Sequence, residues 1–132
     1  MNPTKEDLDR LLAFLPKFQV WGFKAVIKWH GLEQTGSEQE CAWPEYHLDI
    51  DAFVDLLVLE CWNDYEYMDK EMFWYNIPRA KLDELKTYLT NFYRIERFCD
   101  GHMEKVFDEG FIVDILLRLQ ELKDLGQLDL KE

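Results

Sequence analysis

The spacing of apolar residues predicts a helix at the start of the chain. Its apolar positions recur at intervals of three or four residues: Leu8, Leu11, Leu12 and Leu15. This spacing places them on one face of a helix. Thr4 precedes acidic residues, as an N-terminal capping residue does. We therefore predict a helix over residues 1–16, ended by Pro16.

The same periodicity predicts helices over residues 79–122. A long helix carries the stripe Leu82, Leu85, Leu89 and Phe92, and a last helix carries Ile112, Ile115, Leu116 and Leu119. Pro78 suits the first turn of the long helix. Gly101 interrupts it, and Gly110 is placed to end a short helix in between.

The stretch between these helical regions is less regular. Residues 18–29 are rich in β-branched and aromatic side chains, which favours extended structure with a short hairpin near Gly22. Residues 30–45 read as a polar loop. A helix carrying Phe53 and Leu57 follows, capped by Asp49 or Asp51. Residues 62–78 are rich in aromatic and acidic side chains without a clear period, so we predict a loop or short strand there. The expected fold is one mainly α-helical domain over residues 1–132, with a minor β element near residues 18–29.

Charge is concentrated in the middle of the chain. Of the net charge of −12, residues 37–78 carry −10, because eleven acidic residues stand there against one base, Lys70. Such a field repels nucleic acid and anionic membranes and attracts basic protein surfaces. We predict an acidic partner-binding face formed by Glu38, Glu40, Glu45, Asp64, Glu66, Asp69 and Glu71.

Cysteine and histidine give little sign of a metal site. Three cysteines without regular spacing argue against a disulfide framework. Cys99 and His102 have a plausible ligand spacing for zinc, but the second pair, Cys41 and His47, is too widely spaced for an ordinary structural site. We expect no metal or cofactor. With no apolar signal segment and no run long enough to span a membrane, we expect a cytoplasmic protein.

Two stretches resemble a known family. They are WPEYHLDIDAFVDLLVLECW and LTNFYRIERFCDGHMEKVFDEGFIVDILLRL, joined by the aromatic and acidic middle. From about residue 44 to residue 122 the chain resembles an uncharacterised family of small bacterial and phage proteins, a domain of unknown function with an R-x-E-R-F core followed by a glycine. The resemblance implies a compact, mainly helical fold and no particular activity.

The nine residues RIERFCDGH, 94–102, combine several charges with a cysteine and a histidine. One interpretation is structural: Arg94, Glu96, Arg97 and Asp100 form ion pairs that tie the long helix to neighbouring segments. The other is a ligand pocket of Tyr46, Arg94, Glu96 and Arg97, in which the two arginines bind an anion. No glycine-rich phosphate loop accompanies them.

The hypothesis favoured by charge is a non-catalytic acidic protein-binding module. Its specific form is a phage or mobile-element inhibitor that mimics nucleic-acid charge on a basic host protein, without binding nucleic acid or membrane itself. The alternative is a small enzyme or ligand-binding protein built on the pocket of Arg94, Glu96 and Arg97. No nucleophile elbow or oriented triad accompanies the cysteines and histidines, so the sequence identifies no catalytic residue.

Overall fold

Helices dominate the part of the chain that the computed structural model describes, which is residues 3–31, 43–63, 76–97 and 100–128. The helices are α1 (Lys5–Leu12), α2 (Leu15–Phe18), α3 (Leu48–Leu57), α4 (Glu60–Asn63), α5 (Leu82–Glu96), α6 (His102–Asp108) and α7 (Phe111–Asp124), and the strands are β1 (Val26–His30) and β2 (Trp43–Tyr46). A 3₁₀ turn, Ile77–Arg79, precedes α5. The predicted fold class, mainly helical with a minor β element, is confirmed.

The N-terminal helix begins with the predicted cap but ends early. The Asp7 amide donates to Thr4 Oγ1 at 3.1 Å, and the Thr4 amide donates to Asp7 Oδ2 at 2.9 Å. This reciprocal capping box satisfies two amides that the helix leaves unpaired. α1 ends at Leu12, and Pro16 lies in the first turn of α2. We predicted that Pro16 ends a helix, but it lies in the first turn of one. Proline is tolerated there because a residue in the first turn needs no N–H for hydrogen bonds within the helix.

The minor β element is a two-stranded antiparallel sheet. β1 begins at Val26 and pairs with β2, with an irregularity in register between Val26 and Lys28. The predicted hairpin near Gly22 is wrong: Gly22 has φ +82° in a turn before β1, and the partner strand lies in the stretch predicted to be a loop. Trp43 and Tyr46 supply the aromatic content that strands favour, although Pro44 and Glu45 between them obscure the pattern.

The bounds of α3 and α5 depend on local caps that differ from the predicted ones. His47 caps α3, since its Nδ1 accepts the Asp49 amide at 3.0 Å, in place of the predicted Asp49 or Asp51. Pro78 lies in the 3₁₀ turn, and α5 starts at Leu82. Gly101 and Gly110 precede α6 and α7 with φ of +93° and +86°. The predicted break at Gly101 is therefore confirmed.

Phe18 joins separate parts of the core. Its ring centroid lies 5.3–5.6 Å from those of four other phenylalanines: Phe14 at 5.6 Å, Phe23 at 5.3 Å, Phe53 at 5.4 Å and Phe107 at 5.3 Å. Edge-to-face and tilted contacts of this kind add to the burial of apolar surface. They join α2, the turn before β1, α3 and α6. The predicted stripes of α5 and α7 are buried around them at Leu85, Leu89, Phe92, Ile112, Ile115, Leu116 and Leu119.

The sheet packs against the turn between α5 and α6. The Trp29 indole lies over Gly101, and its Nε1 donates to Glu104 Oε1 at 3.2 Å. A Cβ atom at Gly101 would lie 2.7 Å from Trp29 Cη2 and 2.9 Å from Cζ2. Glycine at this position therefore serves both the left-handed backbone and the close approach of the indole.

We expect Gly101→Ala to destabilise the protein more than Gly22→Ala. Both glycines have positive φ, which costs an alanine about 1–2 kcal/mol. Gly22 has no atom within 4 Å of an added Cβ, so it serves as the matched control for backbone strain. The clash with Trp29 should add about 1–3 kcal/mol at Gly101 alone. Urea denaturation of both variants measures the difference.

The Trp29→Phe background isolates the clash. Phenylalanine lacks the Cη2 and Cζ2 atoms, so Gly101→Ala should cost nearly the same there as Gly22→Ala. Equal costs of the two glycine substitutions in the wild-type background would contradict the close packing of Trp29 on Gly101.

Candidate functional site

The carboxylate of Glu96 joins the end of α5, the start of α6 and the sheet. Its Oε2 accepts the Gly101 amide at 3.1 Å, and its Oε1 accepts the Met103 amide at 2.9 Å. The Tyr46 hydroxyl donates to the same Oε1. Both oxygens of Glu96 are thus used within the protein. We name this arrangement of Tyr46, Glu96, Gly101 and Met103 the Glu96 anchor.

Tyr46 is a donor throughout the ordinary pH range. Partial burial, followed by the hydrogen bond to Glu96 and the charge of that carboxylate, raises the pKa of the Tyr46 phenol well above its usual value. A phenolate beside the Glu96 carboxylate would bring two negative charges together, so the protonated phenol is favoured. Tyr46 and Glu96, which the sequence analysis grouped in one pocket or network, do lie in contact.

The other charges of RIERFCDGH do not join this anchor. Arg97 and Asp100 are exposed, and Arg94 is half-buried. Among the residues that the structure describes, no carboxylate lies within ion-pair distance of Arg94 or Arg97. The charge pattern led us to expect basic side chains beside Glu96. Its partners are instead a phenol and two backbone amides.

The candidate zinc ligands are only partly visible. Cys41 and Cys99 lie outside the described residues. His47 uses its Nδ1 to cap α3, and His102 is half-buried with its ring edge toward Phe92. Desolvation and then the charge of Lys105 lower the pKa of His102. In the described part of the chain, no three His, Cys, Asp or Glu residues are grouped in a way that would hold a metal ion.

The predicted acidic face is described at one of its seven positions. Glu38, Glu40, Asp64, Glu66, Asp69 and Glu71 lie outside the described residues. Glu45 is exposed on β2, and its Oε1 lies 2.8 Å from His30 Nε2. The His30 ring stacks on Trp43 with centroids 5.4 Å apart. Glu45 is therefore held in place on an exposed surface of the sheet.

Two acidic residues of α3 that were not predicted as part of the acidic face extend this surface. Asp51 and Asp55 are both exposed. Partial desolvation, followed by the charges of Asp55 and Glu45, raises the pKa of Asp51. The Asp51 carboxylate is thus close enough to Asp55 and to Glu45 to be repelled by each of them. Their signal in the sequence is the four-residue spacing of Asp51 and Asp55, which places both on one helix face.

Exposed apolar side chains border these carboxylates. On and just after α3, Leu48 is 78% exposed, Val58 52% and Leu59 40%. Leu48, Asp51 and Asp55 are spaced by three and four residues and lie along one side of α3. Leu59 follows the end of the helix. We name the set Glu45, Leu48, Asp51, Asp55 and Leu59 the acidic-apolar surface.

The family of this chain follows from its sequence over nearly its whole length. Residues 3–125 match the family of unknown function DUF6508. The chain belongs to this family. Neither a curated protein nor a solved structure matches it. Within the described ranges, no helix is both long and apolar enough to cross a membrane.

We expect Glu96→Gln to lower the free energy of unfolding by about 1–3 kcal/mol, because the glutamine NH₂ group must face one of the three donors. Tyr46→Phe should cost less, since it removes one donor and leaves the carboxylate with two. Because both changes remove the same Tyr46–Glu96 contact, the double variant should cost less than the sum of the single ones. Chemical denaturation measures all three. Additive effects would show that the two side chains do not interact.

Arg97→Ala should change the free energy of unfolding by less than about 1 kcal/mol, because Arg97 is exposed and an exposed ion pair contributes little. Arg94→Ala, at a half-buried position, is the comparison. Thermal denaturation of both variants provides the measurement. A loss of several kcal/mol for Arg97→Ala would point to a buried ion-pair partner outside the described residues.

Proposed function

We propose that this protein is a non-catalytic binding module whose acidic-apolar surface contacts a basic surface of another protein. The observation that carries the proposal is the placement of the exposed carboxylates Asp51 and Asp55 on one face of α3, near Glu45 of β2. Partial desolvation, followed by the charges of Asp55 and Glu45, raises the pKa of Asp51. Crowded like charges destabilise the free protein. A cationic partner would relieve that repulsion. The crowded carboxylates would therefore favour binding, although they lower the stability of the free protein.

The apolar members of the surface support the same proposal. Charged pairs at an interface mainly guide association and choice of partner, while desolvated apolar side chains contribute much of the affinity. Leu48 begins the helix that carries Asp51 and Asp55, Leu59 follows the end of that helix, and both leucines are exposed. A partner with lysine or arginine side chains beside an apolar patch would complement both features.

A more specific proposal concerns the kind of partner. A bacterial or phage protein with this charge would compete with nucleic acid for a basic host protein, presenting carboxylates where that protein binds phosphates. The charge of −10 on residues 37–78 supports this form of the proposal. The alternative, an enzyme or ligand pocket at Arg94, Glu96 and Arg97, has less support because hydrogen bonds within the protein occupy both Glu96 oxygens.

The proposal is tested by capturing partners from host lysate at low and high salt. The test variant is Asp51→Asn/Asp55→Asn. The control is Asp108→Asn/Glu109→Gln, which removes the same charge from exposed positions at the end of α6. We expect the test variant to lose the captured protein and the control to retain it. High salt should weaken capture, and double-stranded DNA should displace a nucleic-acid-binding partner. Equal capture by both variants would refute the acidic-apolar surface.

Stability should change in the opposite direction to binding. The raised pKa means that folded Asp51 holds its proton more tightly than unfolded Asp51, so this group's contribution to stability falls as pH rises through the folded pKa. Asp51→Asn should therefore stabilise the protein at pH 7, by up to about 0.5 kcal/mol for an exposed site. The gain should vanish below about pH 3.8, where the wild-type carboxyl is protonated in both states. Thermal denaturation at the two pH values measures it, and destabilisation at pH 7 would make Asp51 a structural residue.

A further inference from the structure

A cavity lined in part by cationic side chains involves none of the residues of the acidic-apolar surface. It has a volume of about 380 Å³ and lies between the 3₁₀ turn, the start of α5 and the end of α7. Arg79, Lys81 and Arg118 contribute to its walls, against one acidic side chain, Asp83. In a protein with a net charge of −12, a cavity lined by three cations and one acid differs from the composition of the whole chain.

Arg118 is fixed in position by the protein. Its Nε donates to the carbonyl oxygen of Ala80 at 2.9 Å, and its Nη1 donates to the Glu121 carboxylate. Its side chain is only 15% exposed. The guanidinium group is therefore held at the cavity wall before any ligand arrives, which lowers the entropic cost of binding.

Arg79 and Lys81 are the available cations. Both are exposed, and neither side chain makes an ion pair or hydrogen bond with another residue in the described ranges. Glu121 neutralises part of the charge of Arg118, but no such carboxylate is paired with Arg79 or Lys81 there. These two side chains are free to form charge-assisted hydrogen bonds with an anion.

The remaining walls are largely apolar. Leu82, Leu122 and Leu128 line the cavity, and Gln127 adds an amide. Sites for small molecules combine mainly apolar walls with a few polar groups, and their volumes start at about 300 Å³. Cations on one side and leucines on the other suit a molecule with an anionic group and an apolar part.

We propose that this cavity binds a small organic anion, with a carboxylate or phosphate group held by Arg79 and Lys81 and an apolar portion against the leucines. Arg118 positions the cavity wall through its bond to Ala80. The site shares no residue with the acidic-apolar surface, so a test of this cavity is independent of the test of the proposed protein partner.

The test uses anilinonaphthalene sulfonate, a fluorescent molecule with an anionic group on an apolar aromatic body. Its fluorescence is titrated with wild type, with Arg79→Gln/Lys81→Gln, and with the control Lys24→Gln/Lys105→Gln. The control removes the same charge at exposed lysines elsewhere. We expect the test variant to bind at least about tenfold more weakly, because hydrogen bonds to ionised groups contribute that factor or more. The control should match the wild type.

Competition identifies the anionic group. Displacement of the probe by inorganic phosphate would indicate a phosphate ligand, and displacement by octanoate would indicate an apolar carboxylate. Amide chemical shifts in ¹⁵N NMR locate the probe, and they should change at residues 79–83 and 118–128. Equal affinity of the two double variants, shifts confined to other residues, or failure of both competitors would each overturn the proposal.

Discussion

The carboxylate of Glu96 determines how the sheet sits on the helices. It satisfies the first amides of α6 and holds the Tyr46 hydroxyl on β2 at the same time. Glu45 precedes Tyr46 on that strand, and His47, which caps α3, follows it. The internal anchor therefore positions the exposed Glu45 and the start of the helix that carries Asp51 and Asp55. Apolar burial around Phe18 stabilises the fold but is non-directional. The charge-assisted hydrogen bonds of Glu96 are directional, so they fix the orientation of the sheet on the helices.

Local patterns in the sequence predicted much of the helical structure. The stripes of α1, α5 and α7 repeat within one helix, and the cap at Thr4 and the break at Gly101 involve neighbours in the chain. The partner of β1 was missed because pairing of Val26 with Tyr46 depends on contacts across a connection of many residues. Pro16 was misread because a proline that ends one helix is equally suited to begin the next.

The sites were harder to predict than the helices. Charge counting located the acidic region and included Glu45, but it passed over Asp51 and Asp55, whose significance depends on how close α3 lies to β2. It also led us to expect bases around RIERFCDGH. Backbone amides carry no signature in the sequence, so the bonds from Gly101 and Met103 to Glu96 were not foreseeable. The cationic cavity joins residues 79–83 with residue 118 and residues 122–128, which no motif connects.

The Glu96 anchor has a consequence for comparisons among relatives. Proteins that share Glu96 and Gly101 of this stretch share two of the residues that hold the sheet onto the turn before α6. They place no restriction on the side chains that α3 presents to solvent. A common scaffold can thus persist while the surface diverges, because function depends on sites placed on a fold and not on the fold itself. Similarity in this stretch is therefore a guide to shared architecture, and the exposed residues of α3 are where relatives with different partners would differ.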